Sequence, residues 1–502
     1  MSNLPILSLT LFIPILGAIV IMCLPANRHK AIKYVAAVST LFSLLLSLWS
    51  MLNYDLTIGG MQFVERIPWI ADLGVNYALG VDGISLPLLL LTNLIGFSAV
   101  YASWQTAARV KEFFALLLIL ITGVMGTFVT TDLFIFFLFY EVVVIPIYLL
   151  VIMFGSSKRV TKEYAGMKLT IYLLIGSAFL LVGLIALFIK AQGILGFPSM
   201  DIATLAQVDY PAGFQIFAYA LMVFGFGTLL SMFPFHAWSP DGYAGAPTAV
   251  SMIHAGVLKK IGGYGLIRIG LFILPVGAKF IAPVIAVLAI GNVVYAAFIC
   301  LSQKDLKYIV GYSSVSHMGY VLIGIAALNI ISINGAVMMM FAHGVMAALF
   351  FAMIGNLYEK SHTRNVSDFG GLAHQMPRLA FGFMLAGLAS LGLPGTVNFI
   401  GEFTIFVGAF GVYRVISIIA ITGIILTAVY ILRTLGDILF GPRLEKWDHL
   451  QDLKGPEMVP LVVLGSAILI GGILPFTVMD FINSGVGQLL SHIASIQMGG
   501  IF

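Results

Sequence analysis

The 502-residue chain is 60% hydrophobic and only 9% charged, and its formal net charge is +4. Soluble domains carry roughly 25% charged residues, so this composition excludes an ordinary soluble protein and indicates an integral membrane protein. The small net charge says little, because in such a protein the position of the charges matters more than their sum.

Apolar runs of about 20 residues predict an all-α polytopic membrane protein that forms one integral membrane domain over residues 1–502. We predict fourteen spans, near 5–25, 32–53, 82–103, 112–130, 133–154, 166–190, 214–235, 247–272, 280–302, 308–329, 334–357, 378–408, 412–435 and 456–480. The seventh runs into Pro234 and Pro240, and the twelfth contains Gly392 and Pro394. Both are expected to be broken helices, which a membrane tolerates only where protein or water lines the backbone.

The basic residues in the loops predict the orientation of the chain. Loops after even-numbered spans hold three Lys and Arg residues, whereas loops after odd-numbered spans hold sixteen. The sixteen are Arg28, Lys30, Lys33, Arg109, Lys111, Lys158, Arg159, Lys162, Lys304, Lys307, Lys360, Arg364, Arg378, Arg443, Lys446 and Lys454. The odd-numbered loops are therefore expected to face the cytoplasm, and both termini the other side.

Ionisable residues inside the spans are the candidates for chemistry, because burying them in a membrane is costly. Glu141 stands alone among apolar residues in FFLFYEVVVIPIYLL (136–150), and its side chain is too short to reach the interface from mid-helix. The others are His254, Lys259, Lys260, His317, His343, Glu402 and Arg433, with Lys168 near a helix start and His236 just past the seventh span. Simpler interpretations are that Arg433 and Lys168 reach an interface and that His254 makes only a helix contact.

These groups are predicted to form a chain of proton carriers. Burial brings the proton affinities of carboxylic acids closer to those of lysine and histidine, so protons can pass in small free-energy steps. Phosphate-binding loops, a complete dinucleotide fingerprint and a CxxCH motif are absent from the sequence. We therefore expect ion movement, driven by a partner or a gradient, and no cofactor or nucleic acid bound by this chain.

Several motifs resemble a known family. They are YALGVDGISLPLLLL (77–91), PFHAWSPDGYAGAPTAVSMIHAGVLKKIGGYGLIR (234–268), SSVSHMGY (313–320), AHGVMAALFF (342–351), YEKSHTR (358–364) and GLPGTVNFIGEF (392–403). They resemble the antiporter-like proton-translocating subunits of respiratory complex I and of Mrp-type cation/proton antiporters. A glutamate in the twelfth span, Glu402, favours the subunit M family over subunits L and N.

The resemblance implies two inverted five-helix repeats, spans 4–8 (about 112–272) and 9–13 (about 280–435), each with one broken helix. It assigns Glu141 to the fifth-helix glutamate and Lys260 to the lysine that links the two half-channels. His317 and His343 match the connecting histidines, and Glu402 matches the terminal group.

One position departs from the family pattern. The family places a lysine five residues before the proline of its Pro-Phe/Leu-His-x-Trp motif, but here that position is Leu229. We predict that Lys259 supplies the missing charge and interacts with Glu141, with His254 as a weaker candidate. The alternative is that Lys259 faces lipid or pairs with an acidic group of a partner chain.

The resemblance implies a membrane subunit of a complex I-type NADH–quinone oxidoreductase, which couples quinone reduction elsewhere in the complex to proton pumping. Flavin, iron–sulfur clusters and quinone are expected in partner subunits, and L-like and N-like antiporter subunits are expected as neighbours in a bacterial inner or equivalent membrane. The rivals are a subunit of an Mrp-type exchanger or a membrane-bound hydrogenase, and a structural subunit that has lost pumping.

Overall fold

A computed structural model describes residues 4–156 and 159–496. Lys158 of the orientation argument and both chain ends lie outside the described residues. In the first half of the chain the helices of eight or more residues are α1 (Ile6–Cys23), α2 (His29–Leu52), α3 (Ser85–Ala102), α4 (Val110–Val129), α5 (Leu133–Phe154), α6 (Lys162–Leu195), α7 (Ala212–Leu229), α8 (Trp238–Gly245) and α9 (248–273).

In the second half they are α10 (Pro275–Ser302), α11 (Leu306–Ala326), α12 (Ile330–Ser361), α13 (Pro377–Ser390), α14 (Val397–Phe410), α15 (Arg414–Leu439), α16 (Met458–Ile473) and α17 (Phe476–Ile496). Among the described residues, twelve helices are long and apolar enough to cross a membrane. The two remaining predicted spans are α9 and the broken pair α13 and α14. A multi-pass membrane protein is confirmed, while the count of fourteen crossings stays a prediction.

Both predicted helix breaks occur. The chain leaves helical geometry between α7 and α8, where Ser231 has a φ of +60°. It does so again between α13 and α14, where Gly392 and Gly395 have φ values of +65° and +93°. A positive φ is readily adopted by glycine, which explains why the second break falls at the Gly-Leu-Pro-Gly sequence.

Helix α9 contains a feature that the apolar pattern did not predict. Two π-helical segments, His254–Leu258 and Leu266–Leu271, interrupt its α-helical geometry. A π turn widens the helix and shifts the face on which the following side chains lie. Lys259 and Lys260 follow directly after the first π segment, so the turn sets their direction.

The all-α prediction missed a β-hairpin between α2 and α3. Strands β1 (Gln62–Ile70) and β2 (Val75–Val81) pair antiparallel, with Arg66 opposite Ala78. Gly74 closes the turn with a φ of +63°. Short strands outside the spans do not show in a hydropathy profile, because a hairpin is too short to form an apolar run of spanning length.

The two most buried long helices, α11 and α12, lie at the centre of the bundle. Helices α6 and α15 lie at the periphery and expose large apolar side chains such as Ile189 and Ile425, both 62% exposed. Exposed apolar surface of this kind is suited to lipid. Histidines on α11 and α12 therefore face protein on all sides.

A buried ion pair fixes one end of α9. The guanidinium of Arg268 donates to a carboxylate oxygen of Asp82, and both residues are about 5% exposed or less. The other oxygen of Asp82 accepts the backbone N–H groups of Ile84 at 3.1 Å and Ser85 at 2.9 Å. Asp82 thus holds the start of α3 and the end of α9 together.

Candidate functional site

Lys260 and His343 form a direct contact in the centre of the protein. Lys260 Nζ lies 2.8 Å from Nδ1 of His343 on α12, and both residues are 0% exposed. Nζ also donates to the carbonyl oxygen of Ala255, which belongs to the π segment His254–Leu258. An ammonium only donates, so a charged Lys260 requires Nδ1 as the acceptor and leaves the ring proton on Nε2.

His317 on α11 comes next. Its ring centre lies 5.4 Å from that of His343. Its Nδ1 lies 2.7 Å from the carbonyl oxygen of Ser313, and its Nε2 lies 3.1 Å from the carbonyl oxygen of Ser390. A carbonyl oxygen only accepts, so the doubly protonated ring is the form that satisfies both contacts. The surroundings of His317 therefore suit a group that holds an extra proton.

Glu402 on α14 ends this series. Its Oε1 lies 3.7 Å from Nε2 of His317, and the residue is 5% exposed. A Cβ atom added to Gly392 would lie only 2.4 Å from Oε2 of Glu402. The glycine of the helix break thus leaves the space that the carboxylate occupies.

Lys260, His343, His317 and Glu402 are hereafter the central row. Each member can bind or release a proton. Neighbouring members lie 2.8 Å apart (Lys260 Nζ and His343 Nδ1), 5.4 Å apart between ring centres (His343 and His317) and 3.7 Å apart (His317 Nε2 and Glu402 Oε1). Titratable groups in such a row can exchange protons within the protein interior, away from lipid. In the ranges 4–156 and 159–496, no group of three or more His, Cys, Asp or Glu side chains is arranged to hold a metal ion.

Lys259 has different partners from Lys260. Its Nζ lies 3.2 Å from the hydroxyl of Ser314 on α11 and 5.1 Å from the ring centre of Tyr243 on α8. Adjacent helical residues point about 100° apart, which explains why the two lysines separate. Lys259 is 0% exposed, so the alternative that it faces lipid is wrong.

Two further predicted histidines lie outside the central row. His254 stacks on Trp238 at 5.1 Å between ring centres and meets Tyr243 at 4.8 Å. Neither nitrogen of this buried ring has a hydrogen-bond partner in the described chain. His236 stacks on Phe233, with ring centres 5.5 Å apart. His254 therefore shares Tyr243 with Lys259, whereas His236 packs at the α7–α8 break.

Glu141 lies in the middle of α5, as predicted, on a partly exposed face. Its neighbour one turn on, Ile145, is 66% exposed. Its Oε1 is buried and has no hydrogen-bond partner among the described residues. Leu229, at the position of the family lysine, is 1% exposed. The contacts of Lys259 given above do not include Glu141, so their interaction stays a prediction.

Sequence reasoning missed the polar residues that support these groups. Lys168 Nζ pairs with Asp241 at 2.7 Å instead of reaching an interface, and Asp241 also accepts from the Tyr308 hydroxyl at 2.8 Å. Ser313 precedes His317 by four residues, a spacing that places both on one helix face. The four-residue spacing within SSVSH (313–317) is the sequence signal that would have identified Ser313.

Comparisons with known proteins give a consistent result. The sequence model described as "NADH:quinone oxidoreductase/Mrp antiporter, TM" matches residues 130–427. The chain is 40% identical to NAD(P)H-quinone oxidoreductase chain 4 1 of Synechococcus sp. (strain JA-3-3Ab), over 94% of this chain and 90% of the relative. It is 33% identical to NADH-quinone oxidoreductase subunit M of Rickettsia prowazekii (strain Madrid E), over 98% of this chain and 99% of the relative.

Among solved structures, the fold is similar to a chain of respiratory complex I from Thermus thermophilus with bound NADH. The TM-score is 0.87 and the identity 24%, over 96% of this chain and 99% of that chain. At this identity the likeness concerns the fold.

Proposed function

The chain belongs to the NADH:quinone oxidoreductase/Mrp antiporter transmembrane family, and we propose that it is the M-type, proton-translocating subunit of a complex I-type NADH–quinone oxidoreductase. Quinone reduction elsewhere in the complex drives proton transfer through this chain. The central row is the observation that carries the proposal. Its four titratable side chains are buried next to one another in space, and burying such groups in a membrane bundle is costly unless they serve ion movement. Flavin, iron–sulfur clusters and quinone belong to partner subunits in this proposal.

The chemistry of each member follows from its contacts. Lys260 passes a proton to Nδ1 of His343, at 2.8 Å, and His343 releases its Nε2 proton towards His317. His317 then carries one proton on each ring nitrogen and gives the Nε2 proton to Glu402 across 3.7 Å. Moving one charge through 100 mV costs roughly 2.3 kcal/mol, so the steps must be of that order or smaller.

Glu141 is proposed to act at a boundary with a neighbouring subunit. It lies mid-span on the partly exposed face that includes Ile145. A carboxylate facing only lipid is costly, which supports an L-like or N-like antiporter subunit against this face. Lys259 is proposed to replace the cation missing at Leu229.

The two helix breaks also support an arrangement in inverted repeats. The break between α7 and α8 lies in the proposed first repeat, about 112–272, and the break between α13 and α14 in the second, about 280–435. With the Lys- and Arg-rich loops on the cytoplasmic side of a bacterial membrane, both termini lie on the opposite side in this proposal.

Purification and reconstitution test the function. The intact complex should contain flavin and iron–sulfur subunits and acidify vesicles when NADH is oxidised. A Lys260→Met complex that assembles should oxidise NADH with less proton translocation. Isolation of the chain with small antiporter subunits alone would instead support the Mrp-type exchanger. Normal translocation in Lys260→Met would support a structural subunit that has lost pumping. The main argument for that alternative is that Leu229 occupies the position of the family lysine.

A further inference from the structure

A cavity opens on the Lys- and Arg-rich face of the protein. It lies between the end of α10, the segment 366–369 and the end of α15, and its volume is about 520 Å³. Ser302 and Lys304 on its wall are exposed. Its lining includes two cations, Lys304 and Arg433, together with Asp437 and Tyr430, and Arg433 lies 3.9 Å from the Asp437 carboxylate.

Tyr430 leads from this cavity towards the central row. The residue is only 2% exposed, and its hydroxyl donates to Oγ of Ser313 at 2.9 Å. Oγ of Ser313 lies 3.3 Å from Nδ1 of His317. Tyr430 lines the cavity, and two steps at hydrogen-bond distance lead from its hydroxyl through Ser313 to His317 of the central row.

We infer that this cavity is a proton-access route from the Lys- and Arg-rich face to His317, in which Tyr430 and Ser313 are the last two carriers. The inference rests on the proposed function of the central row. It goes further by giving the row a second connection, separate from Lys260. A hydrated proton is the species that this route is proposed to carry.

The proton count balances along this path. The path starts from a His317 ring that carries its proton on Nε2 alone, so that Nδ1 can accept. A hydronium in the cavity gives a proton to the Tyr430 oxygen while the Tyr430 proton moves to Ser313, and the Ser313 proton moves to Nδ1 of His317. Each hydroxyl ends with one proton, and His317 becomes doubly protonated. That ring faces a carbonyl oxygen at each nitrogen, as described above, and its Nε2 proton then passes to Glu402.

A purely structural role is the competing explanation, since the same hydroxyls tie α15 to α11. Conservative substitutions separate the two. In the intact reconstituted complex, Ser313→Ala and Tyr430→Phe should lower proton translocation per NADH oxidised to the level of Glu402→Gln, whereas Ser313→Thr keeps a hydroxyl and should retain translocation. Tyr210→Phe is the matched control, because the Tyr210 hydroxyl is also buried, has no hydrogen-bond partner in the described chain and lies outside the central row.

Access to the cavity is tested with a membrane-impermeant, bulky thiol reagent. In a Cys23→Ser, Cys300→Ser background, Ser302→Cys should react from the Lys- and Arg-rich side, and the reaction should block translocation. Lys446→Cys, in an exposed loop on the same face, should react without blocking it.

Each result decides a separate question. Wild-type translocation by Tyr430→Phe, or by fully labelled Ser302→Cys, overturns the access route. If Glu402→Gln is defective while Tyr430→Phe and Ser313→Ala are normal, the central row stands and only the route is wrong. If Glu402→Gln itself translocates normally, the proposed function fails, and the route fails with it.

Discussion

Oε1 of Glu402 lies 3.7 Å from Nε2 of His317, and the helix break beside them makes this pair possible. Helix α13 ends at Ser390, so the Ser390 carbonyl is one of the terminal groups that lack a partner within the helix. That carbonyl lies 3.1 Å from the same nitrogen of His317. The break therefore supplies an acceptor, and through Gly392 it also supplies the space for the carboxylate.

Glu402→Gln should abolish proton transfer through this chain. The amide keeps the shape of the side chain but cannot accept the proton from His317. A barrier raised by about 1.4 kcal/mol already slows a step tenfold, so translocation by this path should fall by at least about that factor. Acidification of vesicles per NADH oxidised is the measurement. Asp448→Asn, in an exposed pair with Arg443, is the control and should pump normally.

Gly392→Ala should impair pumping without changing any charge. Its φ of +65° is unfavourable for alanine, and the new methyl group would lie 2.4 Å from Oε2 of Glu402. Gly395→Ala is the matched control, because its φ is +93° but an added Cβ meets nothing within 4 Å. Equal defects in both variants would show that backbone strain causes the loss. They would contradict the idea that the space beside Gly392 is needed for the Glu402 carboxylate.

Lys259→Met should reduce pumping if Lys259 replaces the family lysine. Leu229→Lys in the Lys259→Met background should then restore part of it, because it returns a cation to α7. The measurement is again proton translocation at a fixed rate of NADH oxidation, with Glu141→Gln as the reference for a lost fifth-helix partner. Full activity of Lys259→Met would contradict the idea that Lys259 replaces the missing cation.

Arg268→Met should destabilise the subunit by roughly 3–5 kcal/mol, because it leaves the buried Asp82 carboxylate unpaired. Adding Asp82→Asn should recover much of the loss, since the amide oxygen can still accept from the backbone of α3. Thermal unfolding of the solubilised complex measures both effects. Arg443→Met breaks the exposed pair with Asp448 and should cost about 0–1 kcal/mol at most.

Asp132, the N-cap residue before α5, should make stability depend on pH. Burial raises the pKa of its carboxyl group from 3.8 to about 6, although backbone N–H groups of Asn76, Phe134 and Ile135 oppose the shift. Between these values the folded state binds more protons than the unfolded state, so stability falls as the pH rises from about 4 to 6.

The slope from this residue cannot exceed ~1.4 kcal/mol per pH unit, the value for one proton. Asp132→Asn should remove that part of the slope, which a comparison of thermal unfolding at pH 4.5 and pH 6 would detect. If the difference in thermal stability between pH 4.5 and pH 6 were the same in Asp132→Asn as in the original protein, a raised pKa of Asp132 would be contradicted.

The sequence by itself determined the membrane class, most of the spans and the two broken helices. Hydropathy is a local property, and the breaks carry local signals in Pro234 and in Gly392, so neither needed knowledge of the packing. The sequence also located every member of the central row, because an ionisable residue in an apolar run stands out without any structure.

Only the tertiary structure decided which of these residues meet. The members of the central row come from four different helices, α9, α11, α12 and α14, and the π segment before Lys260 rotates its side chain in a way that no apolar pattern reveals. The same packing gave Lys259 and Lys260 their different partners, buried Ser313 and Tyr430 near His317, and left Glu141 on a partly exposed face. These are contacts between helices, and their side-chain directions depend on how the whole bundle closes.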